Sequence, residues 1–266
     1  MTDKPVLTST VIEGSVADAS VTDVSTADKP ALDIIDPEQP VTYAKRIKSF
    51  VIRAGRMTPA QREGYTKHFG EKGLTLNNGM LDFNGIFGND NPVVLEIGFG
   101  MGKSLVEMCQ ENPGLNYIGI EVHTPGVGKI LRDAEDFNVQ NLRVFKDDAI
   151  EVLAQCIPND SLESVQLYFP DPWHKARHHK RRIVQLGFVE TLRCKIKTGG
   201  TYHMATDWEN YAEHMMEVMN EAPGYENIAG KKEFHPRPDF RPLTKFEKRG
   251  ENLGHGVWDL IFKKIN

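Results

Sequence analysis

The 266-residue sequence has only three cysteines and no apolar run long enough to cross a membrane. Cys109, Cys156 and Cys194 are widely spaced, so they match neither a disulfide framework nor a CxxC metal site. The first residues also lack the basic and apolar stretches of a secretory leader. These absences predict a cytoplasmic protein with no disulfide bonds and no membrane partner.

Aromatic residues are missing from residues 1–40, which hold eight acids and two lysines. We therefore predict a disordered acidic tail over 1–40. This tail accounts for the formal net charge of −5, because the rest of the chain is nearly neutral. Residues 41–62 carry six Lys or Arg residues and no acid. We predict that 41–91 form a basic segment packing on a main domain over 92–266.

From residue 92 onward, strand-like runs alternate with helical patterns. The strand-like runs are 93–97, 116–121, 142–145, 164–169 and 200–206, and the helical patterns are 103–110, 124–137, 149–157, 181–196 and 208–220. A last run at 257–263 predicts one more strand, with antiparallel pairing as an option. This alternation predicts an α/β fold with a mostly parallel central sheet flanked by helices on both faces.

A glycine-rich loop follows the first strand. Gly98, Gly100 and Gly102 have the spacing G-x-G-x-G, and Glu96 comes two residues before the first of them. Dinucleotide sites use G-x-G-x-x-G, and an acid this close would repel a pyrophosphate. The loop therefore favours a nucleoside cofactor with a cationic amino acid group over a nicotinamide cofactor, with a purely structural turn as the alternative.

The next two strands are also followed by acids. Glu121 ends the run at 116–121, where a carboxylate can accept hydrogen bonds from ribose hydroxyls. Asp148 precedes the helical pattern at 149–157. Its side chain is expected to cap that helix, to contact adenine, or to do both.

The fourth strand leads into FPDPW at 169–173, followed by nine residues with five Lys or Arg and three His. Ligands of open α/β sheets lie beyond the carboxyl ends of the strands, so Asp171 is expected where cofactor meets substrate. The flanking aromatic residues predict a slot for a base. The basic run predicts phosphate contacts, with a solvated face as the alternative. His174 and His178 lie four residues apart, but the surrounding cations and the lack of a third ligand argue against zinc.

These motifs, together with ATDW at 205–208 and TKFEKRG at 244–250, resemble the bacterial tRNA (guanine-N7-)-methyltransferases over residues 45–266. The resemblance implies a Rossmann-like class I fold that uses S-adenosylmethionine as methyl donor, releases S-adenosylhomocysteine and needs no metal. The implied substrate is tRNA. The implied reaction methylates N7 of the guanosine at position 46, in the variable loop.

The resemblance also implies roles for individual residues. Asp171 takes the active-site position. Contacts with S-adenosylmethionine are implied for Glu96, Gly98, Gly100, Gly102, Glu121 and Asp148. Substrate contacts are implied for Lys175, Asp207, Thr244, Lys245, Phe246 and Glu247, and RNA contacts for Arg177, His178, His179, Lys180, Arg181 and Arg182. The acidic tail lies outside the resemblance and inherits no role.

Guanine N7 has an in-plane lone pair and no proton to remove, so in-line methyl transfer needs no general base. Positioning and electrostatic support are expected to carry catalysis. Asp171, Asp207 and Glu247 remain alternatives for contacting the N1 and N2 donors of guanine. Two other functions are alternatives: methylation of an exocyclic amine, and non-catalytic RNA binding. The presence of Glu96, Glu121 and Asp148 disfavours the second. A monomer without an obligate protein partner is expected.

Overall fold

The computed structural model describes residues 47–51, 55–243, 247 and 256–266. The helices in this part of the chain are α1 Pro59–Lys72, α2 Phe83–Phe87, α3 Lys103–Glu111, α4 Thr124–Asp136, α5 Ala149–Gln155, α6 Leu186–Lys195 and α7 Glu209–Glu221. The strands are β1 Gly73–Leu74, β2 Val93–Ile97, β3 Asn116–Ile120, β4 Leu142–Phe145, β5 Leu162–Tyr168, β6 Ile196–Thr206, β7 Tyr225–Asn227 and β8 Trp258–Lys264. The predicted tail at 1–40 and the predicted substrate residues Thr244, Lys245 and Phe246 lie outside the described residues.

The described strands form one sheet in the order β1-β4-β3-β2-β5-β6-β8-β7. Strands β1 to β6 pair in parallel, and β8 runs antiparallel to both β6 and β7. The predicted mostly parallel sheet is confirmed, and so is the antiparallel option for the last strand. From β2 the chain builds outward through β3 to β4, and then returns to place β5 on the other side of β2. The direction therefore reverses between β2 and β5, which is where open α/β sheets form a ligand crevice.

Apolar side chains pack on both faces of the sheet. All five residues of β2 are buried, and the neighbours Val94 and Leu95 belong to two different hydrophobic clusters. Leu95 packs with residues of α5, α6 and α7, whereas Val94 packs with residues of α3 and α4. Successive side chains of a strand point to opposite faces, so a strand covered on both faces buries apolar residues at successive positions, as Val93, Val94 and Leu95 do.

Helix α1 was not predicted, and it packs against α4. It begins with a capping box, in which the Thr58 hydroxyl accepts from the Gln61 N–H and the Gln61 side chain accepts from the Thr58 N–H. The two helices approach closely at a pair of glycines, since a Cβ on Gly64 would lie 2.3 Å from the Gly128 carbonyl oxygen. Strand β1, Gly73–Leu74, follows α1 and pairs with β4, so it extends the sheet at that edge.

One predicted helix begins later than expected. The pattern at 181–196 gives a helix only from Leu186, and Ala176–Arg181 form a 3-10 helix instead. Gln185, in extended conformation, precedes the first turn of α6. Among the described residues, no helix has both the length and the apolarity to cross a membrane.

Candidate active site

A cleft of about 220 Å³ opens at the carboxyl ends of β2, β3, β4 and β5. Each of these strands contributes residues at its carboxyl end or within the few positions after it. The predicted site residues that line the cleft are Gly98, Glu121, Asp148 and Asp171. Four acidic or glycine positions that lie far apart in the sequence therefore share one cavity, at the reversal point of the sheet.

The glycine loop between β2 and α3 needs its glycines for conformation. Gly98, Gly100 and Gly102 have φ angles of 78°, 59° and 76°, in the left-handed region that side chains disfavour. A Cβ on Gly98 or Gly100 would meet no atom within 4 Å, whereas one on Gly102 would lie 2.5 Å from Ile130. Gly102 thus serves packing against α4, whereas Gly98, which lines the cleft, and Gly100 leave open space beside the backbone.

Glu96 is buried in β2 with only 4% of its surface exposed. Its Oε2 atom has no hydrogen-bond partner. Burial, and then repulsion from Glu121, raises the pKa of Glu96 to about 8. A buried carboxyl group with a free acceptor atom is costly unless a donor or cation reaches it. The Glu96 side chain is therefore prepared for a cationic hydrogen-bond donor.

Glu121 directly follows β3, and its carboxylate organises the loops around it. Oε2 accepts from the Gly100 N–H and Oε1 accepts from the His123 N–H, both at 2.9 Å. Burial raises the pKa of Glu121, although these hydrogen bonds oppose the shift. A carboxylate has about four acceptor positions, so each oxygen keeps capacity for a ligand hydroxyl.

Asp148 follows β4 and begins α5. Its side chain accepts from the Ile150 N–H at 3.1 Å, so the capping role expected from the sequence is confirmed. The same residue lines the cleft. Helix capping holds this side chain in a fixed orientation at the cavity wall.

The FPDPW loop after β5 has strained backbone geometry. Phe169 and Trp173 have φ angles of 52° and 48°, which are rare for bulky residues. The Phe169 N–H donates to the Ala205 carbonyl at 2.8 Å, which fixes the start of the loop on β6. Asp171 lies between the two strained residues; its side chain is exposed at the cleft. Such strain persists only where neighbouring contacts hold it.

A short segment ahead of α1 also lines the cleft through Ser49 and Phe50, which sequence reasoning did not identify. The Trp173 indole N–H donates to the Ser49 carbonyl at 3.0 Å. Arg181 lies over the Trp173 ring at 4.0 Å and donates to the carbonyls of Lys48 and Phe50. Residues 48–50 of the predicted basic segment thus contact Trp173 and Arg181 through backbone acceptors that have no sequence signature.

The basic run at 174–182 divides into exposed and buried cations. Lys175, Arg177 and Lys180 are exposed, and His178 and His179 are half-buried. Arg182 is only 3% exposed; it lies over the Tyr211 ring and donates to the Pro172 carbonyl and the Asn210 side chain. Contrary to the sequence-based prediction for Arg182, its guanidinium is closed off from an RNA phosphate in this structure.

Asp207, Glu247 and Lys175, the remaining predicted substrate residues within the described part of the chain, differ in exposure. Asp207 directly follows β6 and is partly exposed. Glu247 is only 2% exposed, and its two oxygens accept from Arg241 at 2.7 and 2.8 Å. Neither Asp207 nor Lys175 is among the residues lining the cleft. Among the described residues, no group of three or more His, Cys, Asp or Glu is placed to hold a metal ion.

Solved structures share this architecture. The chain superposes on the 16S rRNA methyltransferase KamB with a TM-score of 0.52 at 16% identity, covering 70% of this chain and 95% of that one. A likeness at this identity concerns the fold alone. The sheet order and the cleft at its reversal point define a class I S-adenosylmethionine-dependent methyltransferase fold.

Sequence comparison narrows the class. Residues 90–260 match the family model Methyltransf_4, described as "Putative methyltransferase". A tRNA (guanine-N(7)-)-methyltransferase of Pseudoalteromonas translucida is 61% identical over 222 residues, covering 84% of this chain and 92% of the relative. That of Colwellia psychrerythraea is 59% identical over 227 residues, covering 85% and 93%. The chain belongs to the tRNA (guanine-N7)-methyltransferase family.

Proposed function

We propose that this protein transfers the methyl group of S-adenosylmethionine to N7 of a guanosine in tRNA, at position 46 of the variable loop. The observation that carries the proposal is a single cleft at the carboxyl ends of four parallel strands. The chain that forms it is 61% identical to a tRNA (guanine-N(7)-)-methyltransferase. The sequence motifs and the family membership support the same reaction.

The residues around the cleft fit S-adenosylmethionine. The buried Glu96 oxygen without a hydrogen-bond partner suits the ammonium group of the ligand. The open space at Gly98 and Gly100 lets the ligand approach the backbone of the glycine loop closely. Glu121 can accept from the ribose hydroxyls with the lone pairs that its backbone contacts leave. Asp148, fixed by its capping bond, contacts the adenine. Bound there, S-adenosylmethionine supplies an electrophilic methyl group on a sulfonium.

Asp171 orients the guanine rather than removing a proton. N7 attacks through a lone pair that is already free, so no base has to act on it. The purine gains positive charge as the methyl group arrives, and a nearby carboxylate favours that charge. The prolines on both sides of Asp171 and the strained Phe169 and Trp173 hold this carboxylate at the cleft. Catalysis thus rests on positioning and electrostatics.

Two of the three acids considered for the guanine N1 and N2 donors have accessible side chains. Asp171 is exposed at the cleft, and Asp207 is partly exposed after β6. Glu247 is buried against Arg241. We therefore assign recognition of the guanine edge to Asp171 and Asp207. Lys175, Arg177 and Lys180 provide exposed cations beside the FPDPW loop for the tRNA phosphates.

The test is incubation of the full chain with methyl-labelled S-adenosylmethionine and unmodified tRNA, followed by nucleoside digestion and mass spectrometry. The expected product is 7-methylguanosine, lost when the guanosine at position 46 is replaced by adenosine. An N-methylated exocyclic amine would identify the other methyltransferase function instead. Absence of label, together with measurable binding of S-adenosylhomocysteine, would contradict tRNA as the substrate.

A further inference from the structure

Arg241 is fully buried between the FPDPW loop and the last strand. Its guanidinium donates to both oxygens of Asp259 in β8, at 2.8 and 2.9 Å, and to both oxygens of Glu247, at 2.7 and 2.8 Å. Arg241 also lies over the ring of Phe169, 5.7 Å from its centroid. One side chain therefore joins β8, the C-terminal segment that carries Glu247, and the first residue of the FPDPW loop.

A second chain of hydrogen bonds leads from Asp259 back to the cleft. Nε2 of His203 in β6 is hydrogen-bonded to Oδ1 of Asp259 at 2.7 Å. Nδ1 of the same imidazole is hydrogen-bonded to the Tyr168 hydroxyl at 2.9 Å. Tyr168 lines the cleft, as does Phe169. The buried chain Tyr168, His203, Asp259, Arg241 and Glu247 thus begins in the cavity wall and ends in the TKFEKRG motif.

This arrangement exceeds what stability requires. A buried ion pair contributes little net stability, because desolvation offsets the attraction between the charges. Fully hydrogen-bonded polar chains instead impose one specific arrangement on the groups they connect. Phe169 is the residue in need of such a constraint, since its φ angle of 52° is unfavourable and Asp171 follows two residues later.

We propose that Arg241 is a positioning residue for methyl transfer, which holds Phe169 ahead of Asp171 and fixes the carboxylate of Glu247. Glu247 then acts through Arg241 rather than through its own contact with guanine. The inference rests on the proposed function for its activity readout, and it refines the predicted substrate role of Glu247.

A double-mutant cycle tests this. Arg241→Lys keeps the charge but cannot hold two carboxylates bidentately, and Glu247→Gln keeps the shape of the side chain. Single-turnover methylation at saturating S-adenosylmethionine and tRNA should fall about tenfold in Arg241→Lys, with the dissociation constant for S-adenosylhomocysteine within about twofold. Adding Glu247→Gln to Arg241→Lys should cost less than about twofold more, because both changes break one contact.

Additive losses in the cycle would show that Glu247 contacts the substrate independently, and a normal rate in Arg241→Lys would refute the positioning role. Arg237→Met is the matched control, because the half-exposed Arg237 contacts the Glu247 carboxylate at 3.3 Å and donates to the Arg241 backbone carbonyl at 2.8 Å. In the described part of the chain its side chain makes no contact with Asp259 or Phe169. Its single-turnover rate should stay within about twofold of the unmodified protein. If Arg241→Lys does not fold, Asp259→Asn replaces it in the cycle.

A second readout separates this inference from the proposed function, because it does not use activity. Limited trypsin digestion with mass spectrometry measures cleavage after Lys245, Lys248 and Arg249. Cleavage there should accelerate about tenfold in Arg241→Lys and in Glu247→Gln, while cleavage after the exposed Lys231 and Lys232 stays unchanged. Equal cleavage in all proteins would refute the role of Arg241 in holding Glu247, whatever nucleoside the enzyme methylates.

Discussion

The buried carboxyl group of Glu96 makes cofactor affinity depend on pH. Burial and Glu121 raise its pKa to about 8 in the ligand-free protein. The ammonium group of S-adenosylmethionine or S-adenosylhomocysteine favours the ionised carboxylate, so binding below pH 8 must release a proton. At pH 7 only about one tenth of Glu96 is ionised, and at pH 6 about one hundredth. The dissociation constant should therefore fall about tenfold between pH 6 and pH 7, and level off above pH 8.

Isothermal titration calorimetry of S-adenosylhomocysteine in buffers of different ionisation enthalpy measures this directly. The observed enthalpy at pH 7 should vary with buffer ionisation enthalpy with a slope of about 0.9 proton released. Glu96→Gln is the control, with weaker binding that does not change between pH 6 and pH 7. A dissociation constant independent of pH in the unmodified protein, with no buffer dependence, would refute the placement of the ammonium group at Glu96.

The same carboxyl group should lower the stability of the ligand-free protein at high pH. Its pKa in the folded state lies above the unfolded value, so the folded state binds more protons between about pH 4.3 and pH 8. The free energy of unfolding therefore falls as pH rises through that window. Glu96→Gln removes this penalty, and thermal unfolding should show a higher Tm for the variant at pH 8 and a smaller difference at pH 5.

Four further predictions concern other parts of the chain. Asp171→Ala should reduce single-turnover methylation at least about 100-fold while calorimetry shows nearly unchanged S-adenosylhomocysteine binding; a normal rate would remove Asp171 from the site. Replacing exposed Arg177 and Lys180 by Glu should lower the slope of log binding constant against log salt by about 0.7–0.9 per contact, in filter binding of tRNA. Arg182→Met should cost about 2 kcal/mol in denaturant unfolding, against less than about 0.5 kcal/mol for Arg177→Met. Removal of residues 1–40 should leave the methylation rate within about twofold, and a larger loss would give the tail a task in catalysis.

Local patterns predicted the elements that form the cleft. Strands 93–97 and 142–145 were predicted to the residue, because each is a short, mostly apolar run with a clear boundary on both sides. Pro92 and Gly98 bound the first, and Asn141 and Lys146 bound the second. The glycine loop and the acids at 121 and 148 were also visible, since each directly follows a strand. Helix α1 was missed because most of its residues are polar, and β1 was missed because two residues carry no pattern.

Contacts between distant residues were not predictable in the same way. Arg182 stands in a run of cations, and only packing on Tyr211 and Asn210 reveals that it is buried. Arg241 lies outside every motif, and its role depends on Asp259, 18 residues later. Both are charged side chains removed from water by partners that the sequence does not place beside them. Hydropathy predicts that a charged residue is exposed, whereas its actual burial depends on which residues the fold places around it. The burial of Arg182 and Arg241 therefore could not be predicted from the sequence.

The division of the basic run also limits the tRNA footprint. The Arg181 guanidinium stacks on the Trp173 ring and donates hydrogen bonds to the carbonyls of Lys48 and Phe50. These contacts hold residues 48–50 beside the cleft. Arg182 is buried, which leaves Lys175, Arg177 and Lys180 as the exposed cations of the run. Three phosphate contacts correspond to a salt slope of about −2 to −3. A measured slope much steeper than this requires other cations, and we expect them in the acid-free sequence 41–62, of which Lys48 and Phe50 accept hydrogen bonds from Arg181.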